Sequence, residues 1–322
     1  MLDITLFDDV FGLVGKNHYP THLVGPVHAA QEELDAPLYF HRLLDVLNLK
    51  TSSKLYPPKN AKEFRTLHQH IAEASCQTIQ KQALLYYLIK DCCVVAKDNS
   101  AADAFQKAAC LPKKYWFAMQ GLWCLDKLNF KEAVEYLTQP SLLPVFGSEI
   151  LATLLRAGED SLALAYFDAT NPALNTPELR EQYFAALVRA SLTQGFFFMR
   201  RQSPSANVRK PLLKALFDSV LSLPGGEQRR DRAAELVDLP FDEEEEQWVR
   251  EYLTKHNGRS DLSHDILVMR FIAKGEYNGA LEQINRKKTS RSNHDGIKWE
   301  NVAQAVNRGI GERKGLDGWT VD

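Results

Sequence analysis

The sequence of 322 residues contains no long apolar run. Its most apolar stretch is ALLYYLI, Ala83 to Ile89, bracketed by Lys81, Lys90 and Asp91, far short of the ~20 residues that a membrane-spanning helix needs. A chain that stays in water is expected. Cysteine is scarce as well: Cys76, Cys92, Cys93, Cys110 and Cys124 are an odd number, form no CxxC pair and sit in apolar helical-looking stretches. That excludes a disulfide framework and a zinc-finger pattern, and it predicts buried thiols in a reducing compartment. No N-x-S/T acceptor occurs, which fits a cytosolic or nuclear protein. The opening MLDITLFDDVFGLVG carries acids and no positive region, so it does not read as a secretory or mitochondrial leader. A formal net charge of −2 leaves any electrostatic partner to local patches.

Signatures of chemistry are absent too. There is no G-x-S-x-G, no Cys/His nucleophile pattern, no G-x-G-x-x-G and no G-x-x-x-x-G-K-[ST], so acyl transfer and nucleotide binding have no anchor. The acid clusters, Asp8-Asp9 and Asp242 to Glu246, lack the D-D-x-x-D spacing by which all-helical prenyl-diphosphate enzymes hold magnesium. Asp242 to Glu246 reads as a capped, dipole-matched first helical turn. His68 and His70, two apart, point to different sides of a helix, and Pro20 sits between His18 and His22. No catalytic, cofactor-binding or metal-ligating residue is therefore nominated.

What is present is helical periodicity. TPELREQYFAALVRASL places Leu179, Tyr183, Leu187 and Ala190 on one stripe; RKPLLKALFDSVLSL repeats this with Leu212, Leu216, Val220 and Leu223. Trp248, Tyr252 and Leu253 form the apolar side after the acid run. No alternating β-pattern lasts, while helix stops recur at Pro57-Pro58, Pro112, Pro140, Pro172, Pro177, Pro224 and Pro240. About a dozen to sixteen helices joined by short turns are expected. LNFKEAV (128–134), GEDSLAL (158–164) and GEYNGAL (275–281) align as a turn, an acid or amide, three variable residues, then alanine and an aliphatic. Each reads as the corner of a helical hairpin, with a small residue ending one helix and the alanine admitting the next. In TQPSLLP, Pro140 stops a helix and Ser141 is placed to cap the one that follows. The motif spacing is uneven, so the expected fold is all-α, an irregular α-solenoid or bundle of helical hairpins. Composition shifts divide the chain into an N-terminal helical arm (1–49), a polar, proline-containing linker (50–62), a helical domain (63–288) and a basic loop with a short helical tail (289–322).

Three surface features are candidates for partner binding. The arm carries Phe7, Val10 and Phe11 on a stripe with Ile4 and Val14; it either folds back on the body or docks on a partner. Phe196, Phe197 and Phe198 are consecutive, and since three successive residues cannot share one helical face, at least one must leave the main stripe. Arg200 and Arg201 follow them. Arg286, Lys287 and Lys288 open a basic loop suited to a phosphate contact or nuclear import. The other basic clusters, Lys113-Lys114 and Arg229-Arg230-Arg232, read as solvated surface.

One ordered series of residues resembles a known family. ALLYYLIKD, then FQKAACLPKKYWFAMQGLWCLDKLNFKEAVEYLTQPSL, then ILATLLRAGEDSLALAYFDATNPAL and ALVRASLTQGFFFMRRQ are similar, in order, to the helical domain of ELYS-like nuclear-pore-assembly proteins. The marks are Leu-Pro before an aromatic helix, Gly-x-Trp-x-x-Asp, PSL, an apolar helix ending in glycine, and FFFMR, over Leu84 to Arg200, with looser similarity from about Ala36 to Lys288. The resemblance implies a scaffold or adaptor nucleoporin without enzymatic activity, residing at the nuclear envelope and supporting pore assembly and nucleocytoplasmic transport. Its implied partners are outer-ring (Y-complex) nucleoporins, propeller-bearing subunits among them. Larger animal members add a β-propeller and a tail with AT-hooks. This sequence has neither and looks like the short fungal form, which counts against direct chromatin or DNA contact. The alternatives are a helical-repeat adaptor of a vesicle coat or of degradation machinery, and an all-α enzyme.

Overall fold

The computed structural model describes residues 2–12, 19, 21–96, 99–142, 145–202, 205–256, 261–287, 299–306 and 308. Among these residues all regular structure is helical: nineteen α-helices and one short 3₁₀ turn. The chain divides into two compact units, 1–179 and 180–322. The first holds α1 (Phe7–Phe11), α2 (Val24–Leu34), α3 (Tyr39–Val46), α4 (Lys50–Ser53), α5 (Ala61–Glu73), α6 (Thr78–Ala96), α7 (Ser100–Ala108), α8 (Lys113–Asp126), α9 (Phe130–Leu137), α10 (Gly147–Arg156) and α11 (Asp160–Thr170). Helix α12 (Pro177–Ala190) carries the boundary. The second unit continues with α13 (Leu192–Gln202), α14 (Ala206–Leu221), α15 (Glu227–Asp238), α16 (Glu243–His256), α17 (Asp261–Ala273), α18 (Tyr277–Lys287) and α19 (Trp299–Ala305). The helix number exceeds expectation because α1, α4 and α19 span only five, four and seven residues, too short to show a periodic stripe. The unit boundary falls inside the span read from sequence as one domain. Residues 50–62, read as a linker, hold α4 and bury Tyr56.

The three hairpin motifs share one geometry. Leu128, Gly158 and Gly275 take left-handed φ values of 60°, 76° and 74°. The amide of the next residue reaches back five positions: Asn129 N–H to the Cys124 carbonyl at 2.9 Å, Glu159 to Leu154 at 3.1 Å, and Glu276 to Phe271 at 2.9 Å. That is the Schellman closure, which satisfies carbonyls the ending helix leaves open. The expectation of a small residue at the corner holds for the two glycines; Leu128 adopts the same conformation against its side-chain preference. Asn48 and Cys110 close α3 and α7 in the same way, with Leu49 N–H on the Leu44 carbonyl at 2.8 Å and Leu111 N–H on that of Gln106 at 3.1 Å. The motif alanines, Ala133, Ala163 and Ala280, are fully buried, as close helix approach requires. Where α8 meets α9, a Cβ on Gly121 would stand 2.4 Å from Leu137 Cγ. Ser141 does not cap the next helix. Instead α10 begins at Gly147 after Phe146, which is itself left-handed at φ 63° and makes no side-chain cap bond. Leu143 and Pro144 lie outside the described residues.

At the centre of the first unit, α6 is buried on every side from Ala83 to Cys93. Phe40 of α3 stacks on Tyr87 of α6 with centroids 4.6 Å apart, and Tyr56 packs on Phe40 at 4.4 Å. Cys92, Cys93 and Cys124 are buried as expected, and burial pushes the Cys124 thiol up to about 12. Cys76 and Cys110 depart from expectation. Cys76 is half-buried in the α5–α6 bend, and Cys110 is exposed because the left-handed turn that closes α7 lifts it out of the helix. In the second unit, Val268, Ala280, Ile284 and Ala303 form an apolar cluster that seats α19 on α17 and α18. Among the described residues no helix is long and apolar enough to cross a membrane.

Candidate interaction surface

Several of the residues that mark the ordered sequence series are interior, Gly121, Asp126, Phe196 and Met199 among them. Asp91, from the LIKD segment of α6, is fully buried and saturated. Its Oδ2 accepts the hydroxyls of Tyr19 at 2.7 Å and Tyr56 at 2.6 Å; its Oδ1 accepts the Trp123 indole N–H at 2.9 Å and pairs with Lys127 Nζ at 2.8 Å. A buried carboxylate persists only with such donors. Asp126, three residues beyond Trp123, accepts the backbone N–H groups of Tyr39 at 2.7 Å and Phe40 at 3.0 Å and the Tyr87 hydroxyl at 2.7 Å. It thereby caps α3, whose own cap position, Leu38, supplies no side-chain bond. Burial pushes the Asp126 carboxyl up to about 6, against the opposing pull of these donors. Burial likewise raises the hydroxyls of Tyr19, Tyr56 and Tyr87 far above their ordinary range, so they stay protonated and donate.

The arm residues nominated from sequence lie inside the first unit. Phe7, Val10 and Phe11 are buried. Phe64 of α5 meets Phe7 edge-on at 5.3 Å and Phe11 at 4.5 Å, and the Arg65 guanidinium covers Phe7. His68, its pKa lowered by burial, bonds the Ile4 carbonyl at 3.0 Å. Val14 lies outside the described residues.

Helix α13 separates its phenylalanines as the 100° step demands. Phe196 and Phe198 are buried, whereas Phe197 is 44% exposed. Arg201, also exposed, turns back to the Phe197 carbonyl at 3.4 Å. Arg200 is not a solvated charge. It binds Glu245 at 2.6 Å and the Pro240 carbonyl at 2.9 Å, and it lies over Phe196. Arg286 is exposed on α18 and pairs with Glu282; Lys287 ends α18, and Lys288 lies outside the described residues. Of the nominated residues, Phe7, Val10, Phe11, Phe196 and Phe198 are buried, while Phe197, Arg201 and Arg286 are exposed.

The acid run that opens α16 does more than cap. Asp242 Oδ1 accepts the Glu245 N–H at 2.8 Å and Glu245 returns a carboxylate to the Asp242 N–H at 3.1 Å, a capping box. Glu245 and Glu246 are themselves buried. Glu245 is held by Arg200 and Arg209, and Glu246 by Arg270 at 2.5 Å and Lys274 at 3.4 Å. Burial pushes Glu246 up, but the Arg270 bond and the neighbouring cations outweigh it, and the carboxyl lies below its ordinary range. Arg270 also donates to the Val237 and Leu239 carbonyls, closing α15, and Arg232 does the same for α12 at Val188 and Arg189. Arg232 is therefore not the solvated charge that the sequence suggests: the open carbonyls of a helix end recruit it.

Sequence reasoning did not nominate the groove between α14 and α16. It encloses about 530 Å³ over a floor of Leu213, Phe217 and Val249, with Trp248 and Tyr252 along one wall and Lys210 and Lys214 along the other. The signal was present in the i, i+4 pairs Trp248/Tyr252 and Lys210/Lys214. Among the described residues no group of three or more His, Cys, Asp or Glu could hold a metal ion.

Comparison with known proteins places these features. The family model "ELYS: Nuclear pore complex assembly" matches residues 37–256, from just before α3 to the end of α16. An uncharacterized protein, ely5, from Schizosaccharomyces pombe is 27% identical over 216 residues, 67% of each chain. Protein ELYS from Xenopus laevis is 23% identical over 244 residues, which are 74% of this chain and 10% of the frog protein. The matched span takes in Asp91 and Asp126, the α8–α9 hairpin and the α13–α16 ion pairs, and the chain belongs to the ELYS nuclear pore complex assembly family.

Proposed function

We propose that this chain is a structural scaffold of the nuclear pore, associating with the Y-shaped outer-ring complex and supporting pore assembly and nucleocytoplasmic transport at the nuclear envelope. The observation that carries the reading is the family match across residues 37–256. The chemistry of the interior supports it. Asp91, Asp126, Glu245 and Glu246, the carboxylates most withdrawn from water, are each engaged by donors that tie helices together, which is the work of a scaffold rather than of an enzyme. Successive hairpins suit an irregular solenoid-like frame with long helix faces for partners. Those partners are outer-ring nucleoporins, with propeller-bearing subunits among them.

The test is purification of the tagged chain from fungal cells with fluorescence imaging alongside. Recovery of outer-ring nucleoporins and a nuclear-rim signal are expected. A folded, abundant protein that recovers none of them, or that is diffuse or vesicular, overturns the reading.

A further inference from the structure

Helix α15 has little apolar hold on the second unit. Of its twelve residues only Ala233 and Leu236 are buried, and its start carries no side-chain cap. It is tied down instead by a row of polar side chains, each of which closes the end of another helix. The Arg229 guanidinium donates at 3.3 Å to the carbonyl of Leu221, the last residue of α14. Arg232 donates to the Val188 carbonyl at 2.9 Å and to that of Arg189, in the last turn of α12. Glu235 accepts the Thr193 N–H at 3.1 Å and the Thr193 hydroxyl at 3.0 Å, in the first turn of α13. Their spacing of three places the tying residues along one face of α15. The Thr193 N–H is among the first four of its helix, which find no carbonyl within it, so Glu235 supplies its bond. The chain enters α15 through Gly225 and Gly226. Gly226 has φ 147°, with open space where a Cβ would go, in a backbone region that belongs to glycine.

The three caps share one short helix, so a movement of α15 that breaks one breaks the others, and little buried apolar surface resists it. We propose that α15 is a latch. It leaves and rejoins the second unit in one piece, turning at Gly225 and Gly226, and its departure uncaps α12, α13 and α14 together. The first turn of α13, one turn before the exposed Phe197, is then closed only while α15 is seated. The latch is a property of the chain by itself and stands apart from the scaffold reading.

Amide hydrogen exchange of the full chain, resolved by residue with NMR under conditions where rates report opening equilibria, tests the latch. Thr193 and the amides in the last two turns of α15 should share one opening constant within about threefold, at least about tenfold larger than that of the buried amides of α17. Arg232→Gln, at a half-buried side chain, should raise exchange at Thr193 and along α15 by one common factor of at least about threefold, although the Arg232 bonds go to α12 and not to α13. Unchanged exchange in α17 shows that the variant is folded. In the wild type, a Thr193 constant outside that threefold range of α15, or one shared by α17 as well, overturns the proposal without recourse to the variant. So does an Arg232→Gln chain in which Thr193 exchanges as before.

Discussion

Single atoms decide the packing of the α8–α9 corner. Gly121 has no Cβ, and Leu137 occupies the space where one would be. Gly121→Ala should therefore cost about 1–3 kcal/mol through overpacking, read from urea unfolding; an unchanged midpoint would mean that the two helices slide apart freely. At α13 the contrast lies between neighbours. Phe196→Ala removes a fully buried ring and should cost about 3–5 kcal/mol, whereas Phe197→Ala should stay within about 0.5 kcal/mol. Equal costs would contradict the separation of the two faces. At the hairpin corners, Gly158 and Gly275 are left-handed with open space where a Cβ would go. Alanine there should cost about 1 kcal/mol from backbone strain alone, and a crystal structure of either variant should show an unshifted turn.

At the level of helices, the hairpin corners at Gly158 and Gly275 were legible because their information is local: a glycine that tolerates left-handed φ, then an N-terminal acid, then alanine; the Leu128 corner shared only the amide and the alanine. The acid run that opens α16 was legible as a cap for the same reason. The buried carboxylates were not. Asp91 draws on Tyr19, Tyr56 and Trp123, which lie 72, 35 and 32 positions away, and no window of sequence joins them. Glu245 and Glu246 resemble their exposed neighbours until Arg200 and Arg270 arrive from other helices. Helix α1 was ambiguous for another reason: its stripe of Phe7, Val10 and Phe11 serves a partner as readily as it serves α5, and only the presence of Phe64 opposite decides it. Removal of residues 1–12 strips the buried rings of Phe7 and Phe11 from α5, removes buried Val10 and leaves His68 without the Ile4 carbonyl. A loss on the order of 5 kcal/mol is expected, visible as a lower melting temperature for the first unit. A truncated chain that melts unchanged would show that the arm contributes no stability.

Across the whole molecule, acidity separates the two units. Asp126 in the first has its carboxyl raised to about 6, so the fold binds that proton more tightly than the unfolded chain does. This group favours folding increasingly as pH falls from about 6 to about 4. Asp242 and Glu246 in the second are lowered, so their contribution is full above the ordinary carboxylate range and is lost as pH falls through their depressed values. Below about pH 4, therefore, α16 and α17 should lose protection in pulsed hydrogen exchange before α6 and α8 do; the reverse order would contradict the assignment. In an Asp126→Asn variant the first unit should lose the added stability that wild type gains between about pH 6 and 4.

The cap on α3 also sets a clock. The carboxylate that closes the N-terminus of α3 comes from Asp126, 87 residues downstream of Tyr39. During synthesis at roughly 5–20 residues per second, Tyr39 precedes that carboxylate by roughly 4–17 s, and Phe40, Tyr56 and Tyr87 are made before the helix that organises them. The nascent N-terminal third thus spends seconds with its aromatic residues uncovered, a window in which a ribosome-associated chaperone has something to hold.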